Sequence, residues 1–190
     1  MGVVLLDVRH GDPTVVFAEL FDRYQEGLLR YLTRRVGPVA DDLVAETFVA
    51  ALTGRAAFDP DRGGPGPWLY GIATNLLRHH LRHEQRGLAA SGRAAAGRLS
   101  SYEGPAEAIA GVVDAQRRVA LLADGIAALI ANDRDVLLLT AWAGLSSTEV
   151  AAALQIPVGT VRSRLHRVRQ HLRTHEQHRL TLHRVEPESL

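Results

Sequence analysis

Arg162, Ser163, Arg164, His166 and Arg167 fall within six consecutive residues. An arginine fork matches the two acceptors on a guanine edge and meets phosphate equally well. Serine and histidine read base edges more loosely. Chemistry of this kind recognises a polyanion; it does not make or break bonds. The same stretch carries Val161, Leu165, Val168 and Leu172 at steps of four, three and four. That spacing predicts a helix from Thr160 to about Thr174, with the aliphatic face inward and Arg162, Ser163, His166 and Arg167 outward. Arg164, Arg169 and Arg173 lie beside that outer face, where phosphates would run.

Such a helix enters a major groove only if another helix holds it from behind. Residues 145–168 supply one. Ser147 can cap a short helix Thr148–Leu154, Ala151 is small enough for a close crossing, and Ile156-Pro157-Val158-Gly159 turns the chain. The pattern is that of a helix-turn-helix. Upstream, Val119, Leu122, Ile126 and Leu129 form one apolar stripe, and Val136, Leu137, Leu139, Thr140 and Trp142 another.

The first half carries three further stripes. Val16, Phe17, Leu20, Phe21, Tyr24, Leu28, Tyr31 and Leu32 mark a helix over 14–36, ended by Gly37-Pro38. Leu43, Thr47, Phe48, Ala51 and Leu52 mark a second, with Asp41 or Asp42 as its cap. Leu69, Ile72, Ala73, Leu76 and Leu77 mark a third, from about Trp68 to Arg86. Between the last two, the Gly- and Pro-rich run Phe58–Pro67 reads as a loop. The expected fold is all-α: a three-helix bundle over 12–88, a flexible linker over 89–112, a helix-turn-helix domain over 113–175, and a frayed tail over 176–190.

Composition narrows the chemistry. The 190 residues contain no Cys, which excludes a disulfide scaffold, a thiol nucleophile and a Cys-ligated metal. All 22 basic residues are Arg, against 21 acidic ones, so the net charge of +1 names no partner. The charges are nevertheless clustered: five Arg against one acid over 78–98, and seven against one over 162–184. His79, His80 and His83 sit on the arginine-rich third helix. Without an HExxH carboxylate they read as groove-facing polar residues, so no metal and no cofactor is expected. No Gly-rich phosphate loop and no Ser/His/Asp order stands out, so no enzyme activity is expected. No apolar run reaches the length of a membrane span, and the start lacks the basic region of a signal peptide, so the expected place of action is the cytoplasm.

Gly144-Leu145-Ser146, Glu149-Val150-Ala151 and the run Ile156 to Arg167 closely resemble region four of bacterial sigma factors of the small extracytoplasmic-function type. Asp42-Leu43-Val44-Ala45-Glu46-Thr47-Phe48 and Pro67-Trp68-Leu69-Tyr70-Gly71-Ile72-Ala73-Thr74-Asn75-Leu76-Leu77 independently resemble region two. Ala45 stands where such factors usually have Gln, and Gln155 where Gly is common at the turn. The linker is also less acidic than usual for the type.

The resemblance implies a specificity subunit that joins core RNA polymerase, through its clamp helices and flap, to promoter DNA. It implies polymerase docking through Asp42, Glu46 and Phe48, although both acids also suit the start of a helix dipole. Contact with a flipped base and the melted minus-ten strand falls to Phe58, Arg62, Trp68, Asn75, Arg78 and Arg82; for Trp68 a core position is an equal alternative. Arg86 continues the arginine stripe, and readout of the minus-thirty-five element falls to Arg162, Ser163, Arg164, His166 and Arg167. An anti-sigma factor is an expected further partner, and membrane insertion is not expected. The competing reading is a stand-alone helix-turn-helix regulator whose first bundle senses or oligomerises. It would bind DNA without polymerase, usually as a dimer.

Overall fold

The computed structural model describes residues 7–90, 119–120 and 122–184, and these form helices and connections with no strand among them. Helix α1 (Pro13–Val36) starts where the Asp12 carboxylate accepts the Thr14 backbone N–H at 2.8 Å and Pro13 supplies a preset φ. It ends at Gly37, whose φ of 61° suits a residue without Cβ. Helix α2 (Ala40–Thr53) has Val39 at its N-cap and no capping side chain. The expected cap at Asp41 or Asp42 is therefore corrected: both acids lie exposed in the first turn, at the positive end of the dipole.

Helix α3 (Pro65–Ala90) begins earlier than the expected start at Trp68. Pro65 and Pro67 fit its first turn, where a missing N–H leaves no bond unmade. The remaining loop is tightened by a 3₁₀ turn, Pro60–Arg62, whose Asp61 N–H is accepted by Asp59. Segment 7–11 adds an unforeseen piece. Val8 is buried with Val16, Leu20 and Phe58, and Arg55 Nη1 donates to the Gly11 carbonyl at 3.0 Å.

In the second half, residues 119–120 and 122–127 are helical. Arg134 folds back and donates to the carbonyls of Ile126, Ala127 and Leu129, satisfying acceptors that the helix end leaves open. Desolvation, then the Arg35 charge, lowers the Arg134 pKa from its ordinary value. Val119 and Leu122, expected to face inward, are exposed. Helix α4 (Ala131–Ala141) leads to α5 (Ser147–Leu154), which is capped by Ser146 and not by Ser147. Ser146 Oγ accepts from Glu149 N at 3.3 Å while Glu149 Oε2 accepts from Ser146 N at 2.8 Å, a reciprocal capping box.

Gln155 closes the turn at φ 54°, ψ 44°, so the turn takes the left-handed backbone with a side chain in place. Helix α6 (Val158–Arg184) then runs well past the expected end at Thr174. No Gly or Pro interrupts it between Gly159 and Pro187.

The two halves pack on each other. One apolar cluster contains Leu69, Tyr70, Ala73 and Leu77 from α3 together with Val136, Leu139, Leu145, Val150 and Ala153. Gly71 allows a close approach: a Cβ there would lie 2.4 Å from the Ala153 carbonyl oxygen. Arg34 stacks over the Trp142 ring at 5.4 Å. Asp135 of α4 is completely buried against Arg35 of α1 and Arg78 of α3. The expected linker over 89–112 lies almost entirely outside the described residues.

Candidate nucleic-acid and polymerase interfaces

Helix α6 buries Val161, Leu165 and Val168, with Leu172 half-buried, as the four-three-four spacing predicts. That burial turns Arg162, Ser163, His166 and Arg167 to the surface. Arg162 is exposed with no acidic partner among the described residues. Ser163 Oγ donates to the Thr160 carbonyl at 3.0 Å, so what it offers outward is acceptor lone pairs. Arg164 and Arg167 are not free. Arg167 Nε and Nη2 donate to Asp133 at 3.3 and 3.1 Å, and Arg164 Nε lies 3.7 Å from the same carboxylate. Asp133 carried no motif and was not foreseen as part of the site; its signal is an acid placed in the first turn of the helix behind the arginines.

On α2, Asp42 and Glu46 are exposed one turn apart, while Phe48 is half-buried with its ring 5.0 Å from Phe21. Leu43 and Thr47 are buried, so the helix has a fixed inner face, and Val49 and Leu52 extend the outer ridge with exposed apolar surface. The result is an acidic edge beside an apolar strip, the pattern of a docking face.

The minus-ten candidates divide. Phe58 is 6% exposed and packs against Trp68, ring centroids 5.1 Å apart. The pair supports the loop from beneath. Arg62, Asn75 and Arg82 are exposed. Arg82 Nε donates to the Arg78 carbonyl at 3.1 Å, and Arg86 repeats the pattern on the Arg82 carbonyl at 3.2 Å, laying the stripe along α3. Arg78 itself bonds Asp135 and donates Nη2 to Asn132 at 3.2 Å. A cleft of about 150 Å³ lies over the loop, lined by Phe58, Asp59, Arg62 and Trp68 on one side and Ala152 and Gln155 on the other. The helix-turn-helix thus forms one wall of the space beside the Phe58–Pro67 loop. Among the described residues no cluster of three or more His or acidic side chains could hold a metal.

A polar chain stiffens this junction. Thr74 Oγ1 donates to the Tyr70 carbonyl at 2.7 Å, which leaves Tyr31 to donate to Thr74 at 3.0 Å and to accept from Arg35 at 3.0 Å. Burial raises the Tyr31 pKa, so its hydroxyl keeps the proton this chain needs.

Fold and surfaces together define a helix-turn-helix protein carrying a second helical domain. Residues 20–87 match Sigma-70 region 2 and residues 120–172 match Sigma-70, region 4. The chain is 32% identical over 175 residues to the ECF RNA polymerase sigma factor SigW of Bacillus subtilis (strain 168), covering 87% of this chain and 91% of that one. It is 31% identical to the RNA polymerase sigma factor CarQ of Myxococcus xanthus, over 83% of this chain and 87% of that one.

Among solved structures, that of CnrH in complex with the cytosolic domain of CnrY aligns with a TM-score of 0.58 at 26% identity, over 88% of this chain and 90% of that one. The sigma factor RpoE from Bartonella quintana, in complex with the anti-sigma factor NepR, shares the fold with a TM-score of 0.59 at 20% identity, over 85% of this chain and 96% of that one. The chain belongs to the extracytoplasmic-function sigma factors: it is an alternative sigma factor that directs transcription initiation with core RNA polymerase. Among the described residues no helix is long and apolar enough to cross a membrane.

Proposed function

We propose a division of labour between the two domains, 12–88 and 113–175. The first docks on polymerase through Asp42, Glu46 and Phe48 and handles the minus-ten element through Arg62, Asn75, Arg78 and Arg82. Phe58 and Trp68 brace the loop from which a flipped base is held. The second reads the minus-thirty-five element with Arg162, Ser163, Arg164, His166 and Arg167. The chain supplies specificity and no catalytic step, and it acts in the cytoplasm where polymerase and promoter meet.

One observation carries the reading: an exposed acidic ridge on α2 and an exposed arginine face on α6 lie on opposite partners of one packed pair. Arg78 adds a consequence. It cannot bond Asp135 and reach phosphate at once, and the minus-ten cleft has Ala152 and Gln155 for a wall. The packed arrangement is therefore the form of the free factor, and the domains part when polymerase and promoter are engaged. The relatives CnrH and RpoE were solved with CnrY and with the anti-sigma factor NepR; a comparable anti-sigma partner holding both domains together fits this chain.

The test is run-off transcription with core polymerase on a promoter library. Wild-type protein directs starts from a defined promoter class. Failure to direct any start would overturn the reading.

A further inference from the structure

Asp133 pairs with two arginines of α6, Arg164 and Arg167, and it does so from within the same domain. Its side chain is 8% exposed, whereas that of Arg167 is 58% exposed. Both oxygens of the carboxylate face the Nε–Nη2 edge of Arg167, and Arg164 Nε lies 3.7 Å from the Oδ1 that Arg167 Nη2 also reaches. A guanidinium has two edges suited to paired acceptors. With the Nε–Nη2 edge taken, the Nη1 end is what Arg167 turns to solvent. A free arginine must give up its rotamer freedom when it meets DNA; one already held by a carboxylate has given up much of it beforehand.

The acid carries an opposing effect, since a negative charge beside a DNA-facing helix repels phosphate. A purely non-specific contact would be better without it. A carboxylate kept there despite that repulsion makes sense if it trades general affinity for discrimination at a base.

We propose that Asp133 is a positioning residue for promoter readout: it holds Arg167 so that the free end of the guanidinium addresses one base pair of the minus-thirty-five element. This rests on the reading that α6 enters that element. Arg162, which has no such brace among the described residues, serves the same groove as a mobile contact.

The test uses holoenzyme assembled from the full chain and a promoter selected from a randomised library by the wild-type factor, with each upstream base pair then substituted singly. Asp133→Asn removes the charge and keeps the shape. It is expected to reduce discrimination at one base pair by about tenfold, while binding of the full chain to unrelated duplex stays equal or rises. Arg167→Lys keeps the charge but loses the second donor edge. It should lose discrimination at the same base pair, and Asp133→Asn should add nothing to it.

Equal loss on all sequences would mean that Asp133 merely supports the fold, and unchanged discrimination would mean that Arg167 needs no brace; either result overturns the proposal. If the wild-type factor selects promoters and only the Asp133 prediction fails, the sigma reading stands and this inference falls. If the wild-type factor selects none, both fall.

Discussion

Asp135 of the helix-turn-helix domain lies between Arg35 and Arg78 of the first domain, 2.7 and 2.6 Å away, with none of its side chain exposed. Arg78 meets it by a direct hydrogen bond, and Arg35 by charge contact off the hydrogen-bond direction. One carboxylate thus pairs with two cations across a domain boundary. Removing one member of a buried pair leaves the other charges desolvated and uncompensated, which costs about 3 kcal/mol or more. Asp135→Ala is expected to lower the thermal midpoint of the free protein and to raise its radius of gyration in small-angle scattering. An unchanged radius would show that the apolar cluster alone keeps the domains together.

Gly71 tests the same boundary without touching a charge. Gly71→Ala places a methyl group where the Ala153 backbone already lies, 2.4 Å from its carbonyl oxygen. Backbone on both sides leaves nothing flexible to yield, so overpacking of about 1–3 kcal/mol acts on the packed form. The variant should become more sensitive to protease between its domains while each domain keeps its helical content.

Gln155 holds a left-handed backbone at φ 54°. Gly adopts that conformation without a Cβ clash, although it adds freedom to the unfolded chain. Gln155→Gly is expected to stabilise the protein by up to about 1 kcal/mol, and Gln155→Val to destabilise it by more than that. Urea denaturation followed by circular dichroism reads both.

Asp42→Arg and Glu46→Arg alter exposed side chains on α2 that make no bond within the described residues. Stability should fall by about 1 kcal/mol or less, more for Asp42→Arg because it reverses a charge at the positive end of the α2 dipole. Competition for core polymerase should nevertheless weaken, with the loss shrinking as salt screens the contact. Equal competition by both variants and wild type would remove the acidic ridge from the docking face.

Arg162→Ala tests the exposed recognition face. Without the guanidinium, a hydrogen-bonded base edge goes unread, which costs about 1–3 kcal/mol at one upstream position. Transcription from single-base promoter variants would show this as relaxed selectivity. Uniform weakening across all variants, with a shallower salt slope, would instead make Arg162 a phosphate-binding residue.

Local pattern was enough for the elements and for the family resemblance. The four-three-four spacing of Val161, Leu165, Val168 and Leu172 reflects a helix burying one face, so the exposure of Arg162 and His166 follows from period alone. The buried face of Leu43, Thr47 and Ala51 was legible for the same reason, whereas the docking role of Asp42, Glu46 and Phe48 rested on the resemblance. Errors fell where one residue decides: Ser146 and not Ser147 caps α5, because only Ser146 stands three residues before Glu149. Asp133, Asp135 and Val8 were invisible, since each acts through partners distant in sequence: Arg167, Arg78 and Phe58. Charge patterning tells where arginines gather, but not which of them a carboxylate from another helix has already engaged. That choice belongs to tertiary packing, where desolvation makes an unpaired buried charge too costly to leave alone.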